Sequence, residues 1–497
     1  MEITLHKSFN FLTVVPTTDH VFEILCKALT YTEKVSNPNY YRWDKDPGEL
    51  PFLENEQHMF TLDAKKQLST TYGYWKIIRD ALKKHNYKVK LKDNTPEANP
   101  NTYVPVWGNL EGITLKENQP EFIAAFLKYK CGRFDCPPGF GKSFMIGVLA
   151  RLFPYAKFDI VSSRVAVLRD RIYPELVQMV GDVGIVGGSK SIKNKRVMCY
   201  VAKSMHHSNH DADFLICDEG HELGTDSYIS TLMHWHTARR YSLSASHDKR
   251  TDNNDFKLQG LFGPIVYKVD YNKAEKAKMV VPIKIKWSSV PFCDINIKRD
   301  AAPVVKNRML VWTNSTRNKI IADDAKQYDD DTQVLITVST LEHALHLKQY
   351  LPDYTLVYAE NGIDKHKYNQ YKNAGLLGDK DQLMTFEQRQ KLTKEFESGI
   401  LKKVIATTVW NVGVSFNSLK VLIRADGTGS NINSIQIPGR VSRTAADKTC
   451  GIVHDYMDQF HPSVARKANE RFDCYAEMGW QQEAPVNSTF HKRLNKK

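Results

Sequence analysis

Residues 137–143 of this chain read Pro137-Pro138-Gly139-Phe140-Gly141-Lys142-Ser143, between a short run that suits a strand (Arg133-Phe134-Asp135-Cys136) and one that suits a helix (Phe144 to Ala150). Few patterns constrain a fold more. A glycine-rich loop joining strand to helix turns its backbone N–H groups into one small volume at a helix N-terminus, which suits an anion. Glycine at 139 and 141 lets the backbone approach that anion with no Cβ in the way. Pro138 and Phe140 complete the cradle, Lys142 has the reach for terminal phosphates, and the Ser143 hydroxyl can help hold Mg²⁺. The strict form of the pattern has a first glycine where Cys136 stands.

A second apolar run, Asp213-Phe214-Leu215-Ile216-Cys217, delivers Asp218-Glu219-Gly220-His221 to a strand's carboxyl end. Open α/β sheets place their ligands there. Asp218 can hold Mg²⁺ through its bound water, and Glu219 can take a proton from an attacking water. Standing alone, such an acid pair would also serve as a helix N-cap. Far downstream, Gln436-Ile437-Pro438-Gly439-Arg440-Val441-Ser442-Arg443 carries two arginines three residues apart, a spacing that suits the grip of an anion.

Gln119, Gly139 to Ser143, Asp218 to His221, Ser244-Ala245-Ser246 and Gln436 to Arg443 occur in the order and spacing of a superfamily 2 helicase of the DExH type. The chain resembles that group over roughly residues 111–460, and more narrowly the phage branch-migration helicases of the UvsW kind, similar to RecG. The narrower likeness rests on Phe262-Gly263-Pro264, Thr316-Arg317-Asn318-Lys319, and Asp455 with Asp458. It implies two tandem RecA-like lobes closing on ATP and Mg²⁺, with Arg440 and Arg443 reaching the γ-phosphate and Gln436 beside them. Gln119 takes the place of the adenine-reading glutamine, Asn118 replacing the aromatic that often precedes it. His221, Ser244 and Ser246 fall where relatives couple nucleotide to nucleic acid. Gly413-Val414-Ser415 stands where many relatives carry Gly-x-Asp, with a hydroxyl in place of the carboxylate.

A chain of 497 residues has length for about three domains. The expected division is an α/β accessory domain over 1–110, a first lobe over 111–280, a bridge over 281–325, a second lobe over 326–460 and a C-terminal helix with a basic tail over 461–497. Apolar runs separated by helix-length stretches argue for parallel sheets in both lobes. No apolar run nears the roughly 20 residues that span a bilayer, and the first residues lack a signal-peptide core, so a soluble, cytoplasmic protein is expected. The eight cysteines form no CxxC pair, which suits a reducing compartment.

A formal net charge of +13 favours a polyanionic partner, although excess lysine also serves solubility. Asn37 to Lys45 interleaves aromatics with cations, and Tyr40, Arg42 and Trp43 could stack on bases or grip phosphates. The same segment suits a turn whose aromatics complete a small core; the resemblance favours DNA contact. Leu68 to Leu82 reads as an amphipathic helix followed by a strand. Ser163-Arg164, Lys203-Ser204, Ser339-Thr340 and Thr407-Thr408 follow strands and are candidate phosphate contacts, each also able to act as a cap or turn. The reading is an ATP-driven DNA translocase that remodels branched DNA, a monomer being the expected state. An RNA helicase and the motor subunit of a restriction or nuclease system are the alternatives, the second weakened by the lack of a PD...ExK pattern.

Overall fold

The computed structural model describes residues 1–37, 50, 52–96, 101–245, 247, 253–293, 295–298, 301–359, 365–377, 384–410 and 416–495. The chain forms two compact units, one of residues 1–137 with 141–269 and one of residues 138–140 with 270–497.

The first unit opens with a five-stranded sheet in the order Thr61–Leu62, Leu68–Thr71, Phe11–Val15, Glu2–Ser8, Lys88–Asp93, antiparallel except for the last pair. Alternation makes it: Ile3 and Leu5, Leu12 and Val14 point to one face and are buried with Leu25, Ile78 and Leu82 of the helices Asp19–Ala28 and Trp75–Lys84. The expected helix from Leu68 is therefore shorter. Residues 68–71 alternate buried and half-buried as a strand paired to Phe11–Val15, a 3₁₀ turn covers Tyr72–Tyr74, and the helix begins only at Trp75. Pairing overrides a helical period that the apolar positions also satisfy.

Contacts within this unit tie the small sheet to the larger one. Asn10 Nδ2 lies 2.7–3.1 Å from the carbonyls of Trp235, His236 and Ala238, and Tyr74 donates to the Phe256 carbonyl at 2.9 Å. A Cβ on Gly73 would come within 2.3 Å of the Gln259 and Gly260 carbonyl oxygens, so only glycine permits this approach.

The larger sheet of the unit has eight strands: Lys190–Ile192, Val183–Gly187, Val197–Val201, Phe158–Ser162, Phe214–Asp218, Arg239–Ser244, Gly132–Asp135 and Ile265–Lys268. All pair in parallel except the first, which turns back on its neighbour as a hairpin. Strands 158–162, 197–201 and 214–218 are buried along their whole length, as parallel strands covered on both faces must be.

The second unit is a seven-stranded parallel sheet in the order Thr355–Val357, Lys403–Ala406, Val334–Thr337, Val421–Arg424, Gly451–Met457, Ile283–Ser289, Gln481–Glu483. Two of these strands come from segments expected to lie outside the lobe. Ile283–Ser289, within the expected bridge, pairs with Gly451–Met457, and Gln481–Glu483 pairs on its other side. Helix Pro462–Glu477 packs on the same unit, and part of the expected basic tail falls in a second helix, Thr489–Leu494, pinned by fully buried Phe490. Among the described residues no helix is long and apolar enough to cross a membrane.

Candidate active site

The phosphate loop leaves strand Gly132–Asp135 and enters helix Lys142–Leu152. Gly139 and Gly141 both hold φ near +89°, a left-handed conformation that a side chain would strain. A Cβ on Gly141 would sit 3.3 Å from Gln119 Nε2, so the structure brings the Gln119 amide against this loop. Gln119 is buried at the start of helix Gln119–Lys128, and its Oε1 accepts from Lys116 N at 2.9 Å.

Sheet register assembles the rest of the carboxyl edge. Asp218 ends its strand opposite Ser162 and Leu243, and Ser244 lies opposite Asp135. Glu219 follows with φ 49°, a left-handed non-glycine residue of the kind that marks functional sites. Gly220 has no alternative, since a Cβ there would meet Ser242 Oγ at 1.9 Å.

Lys142 Nζ pairs with Glu219 Oε1 at 2.8 Å, with both side chains largely buried. Burial pulls the ammonium down, but Glu219 and Asp218 outweigh it and hold its pKa above the ordinary value. Burial alone would raise Glu219; the Lys142 charge, then that of His221, holds it low. Asp218 goes the other way, pushed up by burial and by the Glu219 charge. Its Oδ1 is buried and makes no hydrogen bond. A buried carboxylate oxygen without a partner costs on the order of 1–3 kcal/mol or more, which a cation would offset. The donor set therefore fits Mg²⁺, with Asp218 and the buried Ser143 to hold it.

Behind the acids, His221 Nδ1 lies 2.7 Å from Ser244 Oγ and 3.4 Å from Glu219 Oε2. Burial lowers the ring's pKa, opposed by Glu219. The acid motif and the Ser244 segment thus meet through one imidazole. A parallel link escaped the motif reading: His247 bridges Ser242 Oγ at 2.8 Å and Asp135 Oδ1 at 2.5 Å, joining the phosphate-loop strand to the same segment. Arg171, also missed, lowers the pKa of Asp218 from a short π-helical turn, Leu168–Ile172.

The expected nucleic-acid contacts divide. Ser163 donates to Glu222, and Arg164 NH2 meets the same carboxylate at 2.6 Å, so both are tied into this edge of the sheet rather than presented without partners. Ser204 lies in the 3₁₀ segment Ala202–His207; Ser339 Oγ donates to the Asp426 carbonyl at 3.3 Å; Thr407 is buried after strand Lys403–Ala406. Tyr40, Arg42, Trp43, Ser246, Gly413 and Ser415 lie outside the described residues.

In the second unit, Gln436 ends helix Asn431–Gln436, and Arg440 sits in the 3₁₀ turn Pro438–Ser442, 5.9 Å from the Phe416 ring centre. Arg443 follows in extended conformation. A Cβ on Gly451 would meet the Val441 carbonyl oxygen at 2.3 Å, so this glycine lets strand Gly451–Met457 carry the turn closely.

The first unit thus carries a phosphate loop and an acid pair at the end of its mainly parallel sheet, and the second unit carries the paired arginines beside a parallel sheet of its own. Residues 312–445 match the helicase conserved C-terminal domain. Among curated relatives, a putative helicase of a Sulfolobus islandicus filamentous virus is 24% identical over 274 residues, 52% of this chain and 45% of its own length. A DNA 3'-5' translocase, XPB2, of Sulfurisphaera tokodaii is 23% identical over 358 residues, 67% of this chain and 79% of that one. The chain thus spans about half of the first relative and about four fifths of the second. A single-residue variant of Saccharomyces cerevisiae Dbp5 bound to RNA and ADP BeF3 shares the fold, with a TM-score of 0.51 over 80% of this chain and 96% of that one at 11% identity. The phage T4 UvsW crystal structure aligns over 97% of this chain and 99% of its own at 16% identity and a TM-score of 0.42.

Proposed function

We propose that this chain is an ATP-dependent superfamily 2 helicase, a DNA translocase that spends ATP on remodelling branched DNA, and that the Lys142–Glu219 pair is the hinge of its chemistry. Glu219 cannot serve as a base while it holds the Lys142 ammonium at 2.8 Å. The terminal phosphates of ATP compete for that same ammonium, so binding frees the carboxylate to accept a proton from the attacking water. Mg²⁺ on Asp218 and Ser143 would neutralise charge on the phosphate oxygens. Arg440 and Arg443 supply guanidinium charge for the transferring phosphoryl group, Gln436 helps orient the water, and Gln119 reads the base. Before nucleotide binds, the Lys142 charge holds the Glu219 pKa low and keeps the carboxylate ionised; as the ammonium turns to the phosphates, that restraint weakens and the carboxylate becomes a stronger base.

The choice of DNA rests on the UvsW-like motif set and a net charge of +13. The N-terminal sheet, packed on the first lobe through Asn10 and Tyr74, is the proposed module for branch recognition. The test is ATP turnover and strand remodelling on single strands, duplex, forks, four-way junctions and structured RNA. Branched DNA should stimulate most; RNA as the better activator would overturn the assignment. Glu219→Gln should bind ATP yet lose turnover by about 10³-fold, and Lys142→Ala should lose hydrolysis. Normal turnover in Glu219→Gln would remove it from the base role.

A further inference from the structure

Arg424 ends a strand of the second sheet with no exposed surface, and all five of its N–H donors are used. Nε donates to Asp426 Oδ1 at 3.1 Å, and NH2 to the carbonyl and hydroxyl of Thr428 at 3.2 and 3.1 Å. NH1 donates to Ser434 Oγ at 3.0 Å and Tyr475 Oη at 2.8 Å. Ser434 lies in the helix that delivers Gln436 to the arginine turn, and its hydroxyl passes the bond on to the Ser430 carbonyl at 2.8 Å. Tyr475 lies on helix Pro462–Glu477 and donates to Asp455 Oδ2 at 2.7 Å, a carboxylate also held by Arg471 Nε at 3.0 Å. One guanidinium therefore fastens the helix before the arginines to a helix that begins after them.

Close packing points the same way. A Cβ on Gly429 would fall 2.2 Å from Glu470 Oε2 and 3.2 Å from Lys467 Cα, so helix Pro462–Glu477 lies directly on the turn that starts the Asn431–Gln436 helix. Arg471 NH1 reaches the Thr428 carbonyl from that side at 3.2 Å. This helix lies outside the 312–445 segment matched to the helicase C-terminal domain.

We infer that helix Pro462–Glu477 is a positioning element for ATP hydrolysis: through Tyr475 and Arg424 it fixes Ser434, and with it the placement of Gln436, Arg440 and Arg443. The inference rests on the proposed role of those arginines. A rigidly held guanidinium acts in the transition state more than in ground-state binding, so a loosened clamp should appear in kcat and spare the KM for ATP.

The experiment compares full-length Ser434→Ala, Tyr475→Phe and Ser434→Thr with Arg440→Ala, measuring DNA-stimulated kcat, KM for ATP and thermal midpoint. Ser434→Ala and Tyr475→Phe should each lower kcat about tenfold with KM within about twofold. Their midpoints should fall by no more than about 4 °C, and Ser434→Thr, which keeps the hydroxyl, should recover most of the rate. Loss of turnover in Arg440→Ala with wild-type kcat in both hydroxyl variants overturns the clamp while leaving the arginine role intact. Full turnover in Arg440→Ala overturns that role and the clamp with it. A larger midpoint drop with unchanged kcat in the folded variant would make the hydroxyls structural only, again against the clamp.

Discussion

Acidic side chains at the ends of the two sheets live under opposite conditions. In the first unit Asp218 keeps a buried oxygen with no hydrogen bond, and burial and Glu219 raise its pKa. In the second, Asp458 accepts from Arg317 Nε at 2.8 Å with Arg471 also within 3.7 Å, and Asp455 receives Arg471, Tyr475 and the Tyr456 amide. The first carboxylate holds capacity in reserve for something that arrives; the second pair is saturated by the chain itself. Unspent coordination, more than burial or charge, separates a binding group from a structural one.

The same replacement, aspartate to asparagine, tests that contrast at three places. Asp458→Asn leaves Arg317 and Arg471 buried without full compensation and should cost about 3–5 kcal/mol in denaturant unfolding. A loss under about 1 kcal/mol would mean that the network is not saturated in the sense argued.

Asp159 is intermediate, a buried carboxylate of the first sheet whose Oδ2 accepts from Ser208 Oγ and Trp235 Nε1, both at 2.7 Å. Burial nonetheless pushes its pKa up to about 6. The folded state thus holds this proton more tightly than the unfolded chain, and the associated stability is present near pH 4 and lost as pH rises to about 6. Asp159→Asn should lack that decline, gaining roughly 2–3 kcal/mol on wild type between those limits. Parallel pH profiles for the two proteins would contradict it.

Asp218→Asn should show the smallest effect on stability, with the sign of Asp159→Asn and opposite to that of Asp458→Asn, raising it by about 0.5–2 kcal/mol at neutral pH while turnover is lost. A destabilised variant would show that Asp218 is already satisfied, and would erase the contrast.

Where the chemistry lies within a few consecutive residues, it was legible before the structure. Glycines at 139 and 141, the acids at 218 and 219 and the arginines at 440 and 443 are local patterns, and doubly buried strands such as Val334–Thr337 and Val421–Arg424 stand out as apolar runs. What the sequence hides is pairing over distance. Glu222 as the partner of Ser163 and Arg164, or His247 as the link to Asp135, depends on which strand ends adjoin, and no spacing encodes that. Arg317 and Asp458 were visible only as isolated fragments of a family likeness, yet they form one ion pair. Ile283–Ser289 alternates like a half-buried strand, but nothing in it names Gly451–Met457 as its neighbour.

That last pairing bears on how the molecule is made. Strand Ile283–Ser289 leaves the ribosome with neither neighbour available, because one is translated only at 451–457 and the other at 481–483. The earlier unit can complete its own eight strands while this one waits, its edges open to the wrong company for most of the remaining synthesis. Shortening the protein ahead of residue 481 would therefore remove the closing stave of the second sheet, and the expected penalty is insoluble product rather than a slower motor.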